Sequence, residues 1–118
     1  MRREEVVVAT VAVVGILIYA GIVWSRLQNR LVVTNQTQQA VAVEITIGEQ
    51  TIRFPNIPPG RSAVSRFHIH GDGSFTFRGQ LADGTQHYEQ CGYVTNGMYG
   101  ERAEFIIQPD GTLSFNQP

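Results

Sequence analysis

At 118 residues and a formal charge of −1, the chain has room for one small domain and little else. Its one cysteine excludes an internal disulfide, so the folded part must be held by a hydrophobic core. All nine cations are arginine, and from Leu31 onward five arginines face eight carboxylates, a balance near −3. No basic stripe is available to follow a phosphate backbone, which excludes nucleic acid as the expected partner.

The first element is apolar. Val6 to Trp24 reads VVVATVAVVGILIYAGIVW, 19 residues without a charge. As an α-helix at about 1.5 Å per residue it would span roughly 28 Å, close to the hydrocarbon thickness of a bilayer. β-Branched residues weaken a helix in water, but lipid leaves the backbone no partner except itself. Tyr19 and Trp24 suit an interface, and Arg26 and Arg30 end the apolar run. A cleaved signal peptide is the competing reading. Against it stand the length of the run, the two glutamates in the leader MRREE and the lack of an A-x-A site. The expected organisation is a cytoplasmic leader over 1–5, a transmembrane helix over 6–25, a linker over 26–30 and a domain over 31–118. Arg2, Arg3 and the α-amino group slightly outweigh Arg26 and Arg30, which favours the N-terminus inside and the domain outside.

Beyond the linker the hydrophobic period changes from helical to two. Val41, Val43, Ile45 and Ile47 alternate with Ala42, Glu44 and Thr46, the pattern of a half-buried strand, and Ile52 and Phe54 repeat it. Pro55, Pro58 and Pro59 mark a crossing loop, since proline cannot donate to a central ladder. Val64 leads into Phe67 and Ile69, and Phe75 and Phe77 follow. Two segments, LADGT at 81–85 and QPDGT at 108–112, read as type I turns closed by a left-handed glycine. The second sets Ile107 opposite Leu113 and Phe105 opposite Phe115, all on one side. The first sets Phe77 opposite Glu89 and Gly79 opposite His87, which is awkward on a core face unless a bulge near Gly79 or Gly92 intervenes.

Seven or eight short strands and no helix after Leu31 imply an all-β fold, a small antiparallel sandwich behind one transmembrane α-helix. The succession LVVTNQT, VAVEITI and NIPPGRSAVSRFHI resembles bacterial immunoglobulin-like or fibronectin-III-like domains of the cell envelope. The resemblance implies an Ig-like architecture and no particular activity. The chain departs from the antibody pattern: its one Trp is in the apolar segment, Cys91 has no mate, and Tyr88 misses the tyrosine-corner spacing by one residue.

Several residues invite chemistry. His68 and His70, two apart in a strand, would share a face with Arg66 and could hold zinc or copper with help from His87, Glu89 and Cys91. Arg66 opposes a cation there, and a solvated polar face is the simpler account. Gly71-Asp72-Gly73 is better read as a turn than as a calcium loop, whose later ligands are missing. Cys91 near His87 suggests a thiol nucleophile, against which stands the small concave space of such a domain. Asn35-Gln36-Thr37 matches a glycosylation acceptor, relevant only in a eukaryotic secretory route. The segment GYVTNGMYGER, 92–102, is the more promising surface: a loop carrying Tyr93, Asn96, Met98 and Tyr99, which either contact a partner or fold back over the core. The expectation is a non-enzymatic module without cofactor, anchored in a bacterial inner membrane, whose domain binds an envelope or membrane protein. A metal-binding domain is the alternative, and Gly21 and Ser25 leave helix-mediated homo-oligomers open.

Overall fold

A computed structural model describes Val14, residues 16–20 and residues 28–118. The leader, most of the apolar segment and residues 26–27 of the linker therefore lie outside the described residues. Val14 and residues 16–20 are helical, with Ile16, Leu17, Ile18 and Tyr19 all exposed. Among the described residues no helix is long and apolar enough to cross a membrane.

Eight strands follow: β1 (Asn29–Asn35), β2 (Val41–Ile47), β3 (Gln50–Ile57), β4 (Ser62–Phe67), β5 (Gly73–Leu81), β6 (Gln86–Val94), β7 (Arg102–Ile107) and β8 (Leu113–Asn116). They form two four-stranded sheets, ordered β4-β1-β7-β8 and β3-β2-β5-β6. All pairs are antiparallel except β1 with β7. Strands joined by tight turns stay in one sheet, whereas β1–β2, β3–β4, β4–β5 and β6–β7 cross between sheets. The result is the two-sheet sandwich expected from the alternation.

The period-two reading of 41–47 holds residue by residue: Val41, Val43, Ile45 and Ile47 are buried and Ala42 is exposed. Leu31, Val33, Ala103, Phe105 and Ile107 supply the facing layer. Phe105 is the hub. Its ring stacks on Phe77 at 5.7 Å, meets Phe75 edge-on at 5.6 Å and lies 5.0 Å from Phe115. Phe67 adds an edge contact to Phe75 at 5.4 Å, so aromatic rings from β4, β5, β7 and β8 tie the sheets together. Each such ring contributes about 1.5–3 kcal/mol through burial alone.

Three expectations change. Pro55 lies inside β3 and not in a crossing loop. β3 is an edge strand, where a missing donor is tolerated, and its pairing with β2 shifts register between Val41 and Val43. Val64 is 60 % exposed, because inward-facing Ala63 and Phe67 leave it on the outer face opposite Val32. β1 begins at Asn29, so Asn29 and Arg30 are already paired with Phe67 and Arg66 and belong to the sheet.

Both expected three-residue turns are present. Gly84 and Gly111 have φ of 91° and 88°, and each donates its N–H to the residue three before it. Asp83 and Asp110 accept from the N–H of Thr85 and Thr112, and these contacts hold both carboxyls below their ordinary range.

At the far end of the sandwich Asn35 is fully buried. Its Nδ2 donates to the carbonyls of Gln39 (2.7 Å) and Ile57 (2.9 Å), and its Oδ1 accepts from the Thr37 N–H and hydroxyl. A side-chain amide thus joins the β1–β2 connection to the end of β3. This use of Nδ2 leaves nothing to accept a glycan in the folded domain. Asn35→Ala strands at least two buried partners, and each costs about 1–3 kcal/mol. Urea unfolding should show a loss of about 3 kcal/mol, and a change below about 1 kcal/mol would contradict this role.

Candidate functional site

The end of the sandwich where β1 begins collects most of the singled-out residues. Here β4 runs out at Phe67, β5 starts at Gly73, and the β6–β7 loop (95–101) crosses between the sheets. His68 and His70 follow β4 rather than standing in it. Both are exposed on one side, with ring centroids 5.9 Å apart, while Ile69 packs against the core. The His68 N–H donates to Gln50 Oε1 at 2.9 Å. His87 is elsewhere, on β6 opposite Gly79, whereas the histidine pair adjoins Gly73 at the other end of β5. Six strand residues at about 3.3 Å each separate these positions by roughly 20 Å. The expected trio His68, His70 and His87 is therefore not one site. Among the described residues no three His, Cys, Asp or Glu side chains group as metal ligands.

The loop residues are braced and exposed in turn. Asn96 is a clamp: its N–H donates to Asp72 Oδ1 at 2.7 Å, and its Oδ1 accepts from the Gly71 N–H at 3.0 Å. Asp72 is thus engaged as a loop acceptor. Gly97 turns the chain with φ of 86°, Met98 folds back against the core, and its Sδ accepts from the Thr95 N–H. The Glu101 N–H donates to Asn29 Oδ1, and the Arg30 N–H donates to the Glu101 carbonyl. Tyr93 and Tyr99 remain outside, 59 % and 69 % exposed. Of the four expected contact residues, two tyrosines present surface, Tyr93 at the end of β6 and Tyr99 on the loop that Asn96 and Met98 hold.

β6 is the second notable feature. Phe77 pairs with Glu89 and Gly79 with His87, the awkward register read from the turn. A bulge does occur at Gly92, where the register shifts between Phe75–Cys91 and Gly73–Val94, but it comes after those pairs and does not relieve them. Gly92 has φ of 71°, and a Cβ there would lie 2.6 Å from Phe115, so only glycine fits. Past the bulge the Gln117 side chain closes the edge, accepting from the Tyr93 N–H and donating to its carbonyl.

Before the bulge, His87, Glu89 and Cys91 share the inward side of β6 at the rim between the sheets. His87 Nε2 lies 3.2 Å from Glu89 Oε2. Cys91 is pushed up to about 11 by burial and then by the Glu89 charge. A nucleophile requires the opposite shift, so the arrangement does not activate the thiol. On the outer face one row crosses the sheet. Arg53 pairs with Glu44 at 3.5 Å, Glu44 stands opposite Arg78, and Arg78 lies over the Tyr88 ring at 5.5 Å. In the sequence Tyr88 is weighed only against a tyrosine corner, not as a surface residue. Its alternation with His87 and Glu89 along the strand was the available signal.

Comparison with known proteins adds the fold and no more. No protein-family model matches the chain, and no curated protein matches it. It is similar to a solved structure described as the NMR structure of the protein from Eubacterium rectale. The match has a TM-score of 0.56 and 10 % identity, and covers 79 % of this chain and 90 % of that one. At that identity the likeness shows a shared fold alone.

The thiol has a direct test. Against the ordinary value of 9.0, a group near 11 holds about 100-fold less thiolate at pH 8. Iodoacetamide should modify Cys91 in the native chain at least about tenfold more slowly than in urea, since the greater reactivity of a more basic thiolate offsets part of its lower population. Equal rates would contradict its burial.

Proposed function

We propose that the chain is a membrane-tethered, extracytoplasmic Ig-like β-sandwich that acts as a non-enzymatic interaction or assembly module. It sits at the outer face of a bacterial inner membrane and contacts an envelope or membrane protein. The observation that carries this reading is the pair of exposed rings, Tyr93 and Tyr99, beside a loop braced by Asn96 and Met98. A braced loop presenting Tyr99 beside the strand residue Tyr93 offers contact area at low entropic cost, since little remains to be ordered on binding.

The tether rests on the uncharged run from Val6 to Trp24 and on the exposed apolar side chains of its described helical piece. Only four residues, 25–28, lie between Trp24 and Asn29, so the two are at most about 18 Å apart along an extended chain. The tyrosines are at the end where β1 begins, so the tether brings them near the bilayer and favours a partner that is itself at the membrane. The Ig-like assignment is supported by two four-stranded sheets with hairpins within them and crossings between them.

Alkaline carbonate should leave the protein in the membrane fraction, and proteases added to spheroplasts should digest residues 31–118. A photocrosslinker replacing Tyr99 should capture one discrete partner, and Tyr93→Ala should reduce that capture at least about tenfold. Release by carbonate would remove the tether. A chain that stays in the membrane but forms no discrete adduct from position 99 would remove the contact surface.

A further inference from the structure

The turn at 82–84 determines which backbone groups of β6 face outward. Leu81 and Thr85 close the hairpin through the Leu81 N–H to Thr85 C=O bond of 2.8 Å. Hydrogen-bonded pairs then recur every second residue, at Gly79–His87, Phe77–Glu89 and Phe75–Cys91. The N–H and C=O groups of Gln86, Tyr88 and Gln90 therefore point away from β5. β6 is the last strand of its sheet, so no strand meets them.

The four sheet edges are not equally guarded. β3 carries Pro55, β8 has only four residues, and β4 is flanked by Pro58 and Pro59 and carries Arg66. These are usual protections of an edge. β6 has nine residues, no proline and no arginine. Gln117 and the Gly92 bulge close its end, while the stretch 86–90 stays open.

We propose that this stretch pairs antiparallel with the same stretch of a second copy, about a two-fold axis at Tyr88. Pairing must match outward-facing residues with outward-facing residues, which restricts the register. An axis at Glu89 would set the two carboxylates against each other, and an axis at Gln90 would run Tyr88 into the bulge at Gly92. The axis at Tyr88 uses all three outward residues. It places Gln86 opposite Gln90 of the partner subunit and Tyr88 opposite its own copy. It also sets His87 against the partner's Glu89, and Glu89 against the partner's His87. His87 and Glu89 already lie 3.2 Å apart along the strand, so the four groups would alternate in sign when the imidazoles are charged. On the outer face the Tyr88 ring of each copy, held by Arg78, would meet its equivalent. The two sheets would become one of eight strands.

A contact of five residues per chain is short. Two copies on one membrane meet at high local concentration, which lets such a contact suffice; this last point rests on the tether proposed above. Carbonate extraction reports on that tether separately from the pairing.

The test uses the full chain in native membranes and in detergent, with Cys91→Ser as background. Tyr88→Cys should oxidise to a covalent dimer, because paired strands bring the two Cα atoms to about 5.5 Å. Gln86→Cys alone should not crosslink, whereas differently tagged Gln86→Cys and Gln90→Cys chains should do so when mixed. Glu89→Arg should reduce the position-88 crosslink at least about tenfold, and adding His87→Glu should restore it. Absence of the position-88 dimer in a folded chain would overturn the proposal. So would equal crosslinking by Gln86→Cys alone, or disulfides formed at 88 only with a different protein.

Discussion

A single backbone hydrogen bond, from the Leu81 N–H to the Thr85 carbonyl, determines the character of β6. Because Gly84 adopts a left-handed conformation, the turn takes three residues and sets a register that holds until the bulge at Gly92. Phe77, wholly within the core, must then stand opposite Glu89, and Gly79 opposite His87. A histidine and a glutamate are carried on the core-facing side of a strand, which is tolerable only at the rim of the sandwich. There the two side chains reach water and each other. The same register turns the backbone of Tyr88 and Gln90 outward, so the polar rim and the open edge have one cause.

The rest of the molecule keeps its two ends apart in purpose. At the far end Asn35 uses a buried amide to join two connections, and both neighbouring hairpins close with an aspartate that accepts from a threonine. At the end where β1 begins, Asn96 and Asp72 knit the β4–β5 and β6–β7 loops, and Asn29 receives Glu101. The loop carrying Tyr99 is therefore a fixed platform. Between the ends, the Phe105-centred rings join the sheets and leave the surface to polar rows such as Arg53, Glu44 and Arg78.

Much of this was legible in the sequence, because local chemistry and tertiary demand agreed. The alternation over 41–47 and the D-G turns predicted strands, registers and the facing pairs Phe105–Phe115 and Ile107–Leu113. Where the two disagreed, the reading failed. Pro55 signals a loop only in a central strand, and which strands lie at edges is a property of the whole sheet. His68 and His70 continue the alternation of β4, but the strand stops at Phe67, and His87 belongs to the opposite end of its sheet. The Asn35 amide is committed to buried hydrogen bonds within the domain, and the Asn96 side chain, exposed as expected, also accepts from the Gly71 N–H. Long-range partners of that kind leave no mark in a local pattern.

Residue-resolved amide exchange of the full chain over Gln86–Cys91, followed against protein concentration, tests the register most directly. The account predicts slow exchange at His87, Glu89 and Cys91 at every concentration. At Gln86, Tyr88 and Gln90 it predicts exchange that is fast in dilute protein and slows as copies pair. Fast exchange at His87, Glu89 and Cys91 would place the other set of amides against β5, and the account of the edge would be wrong.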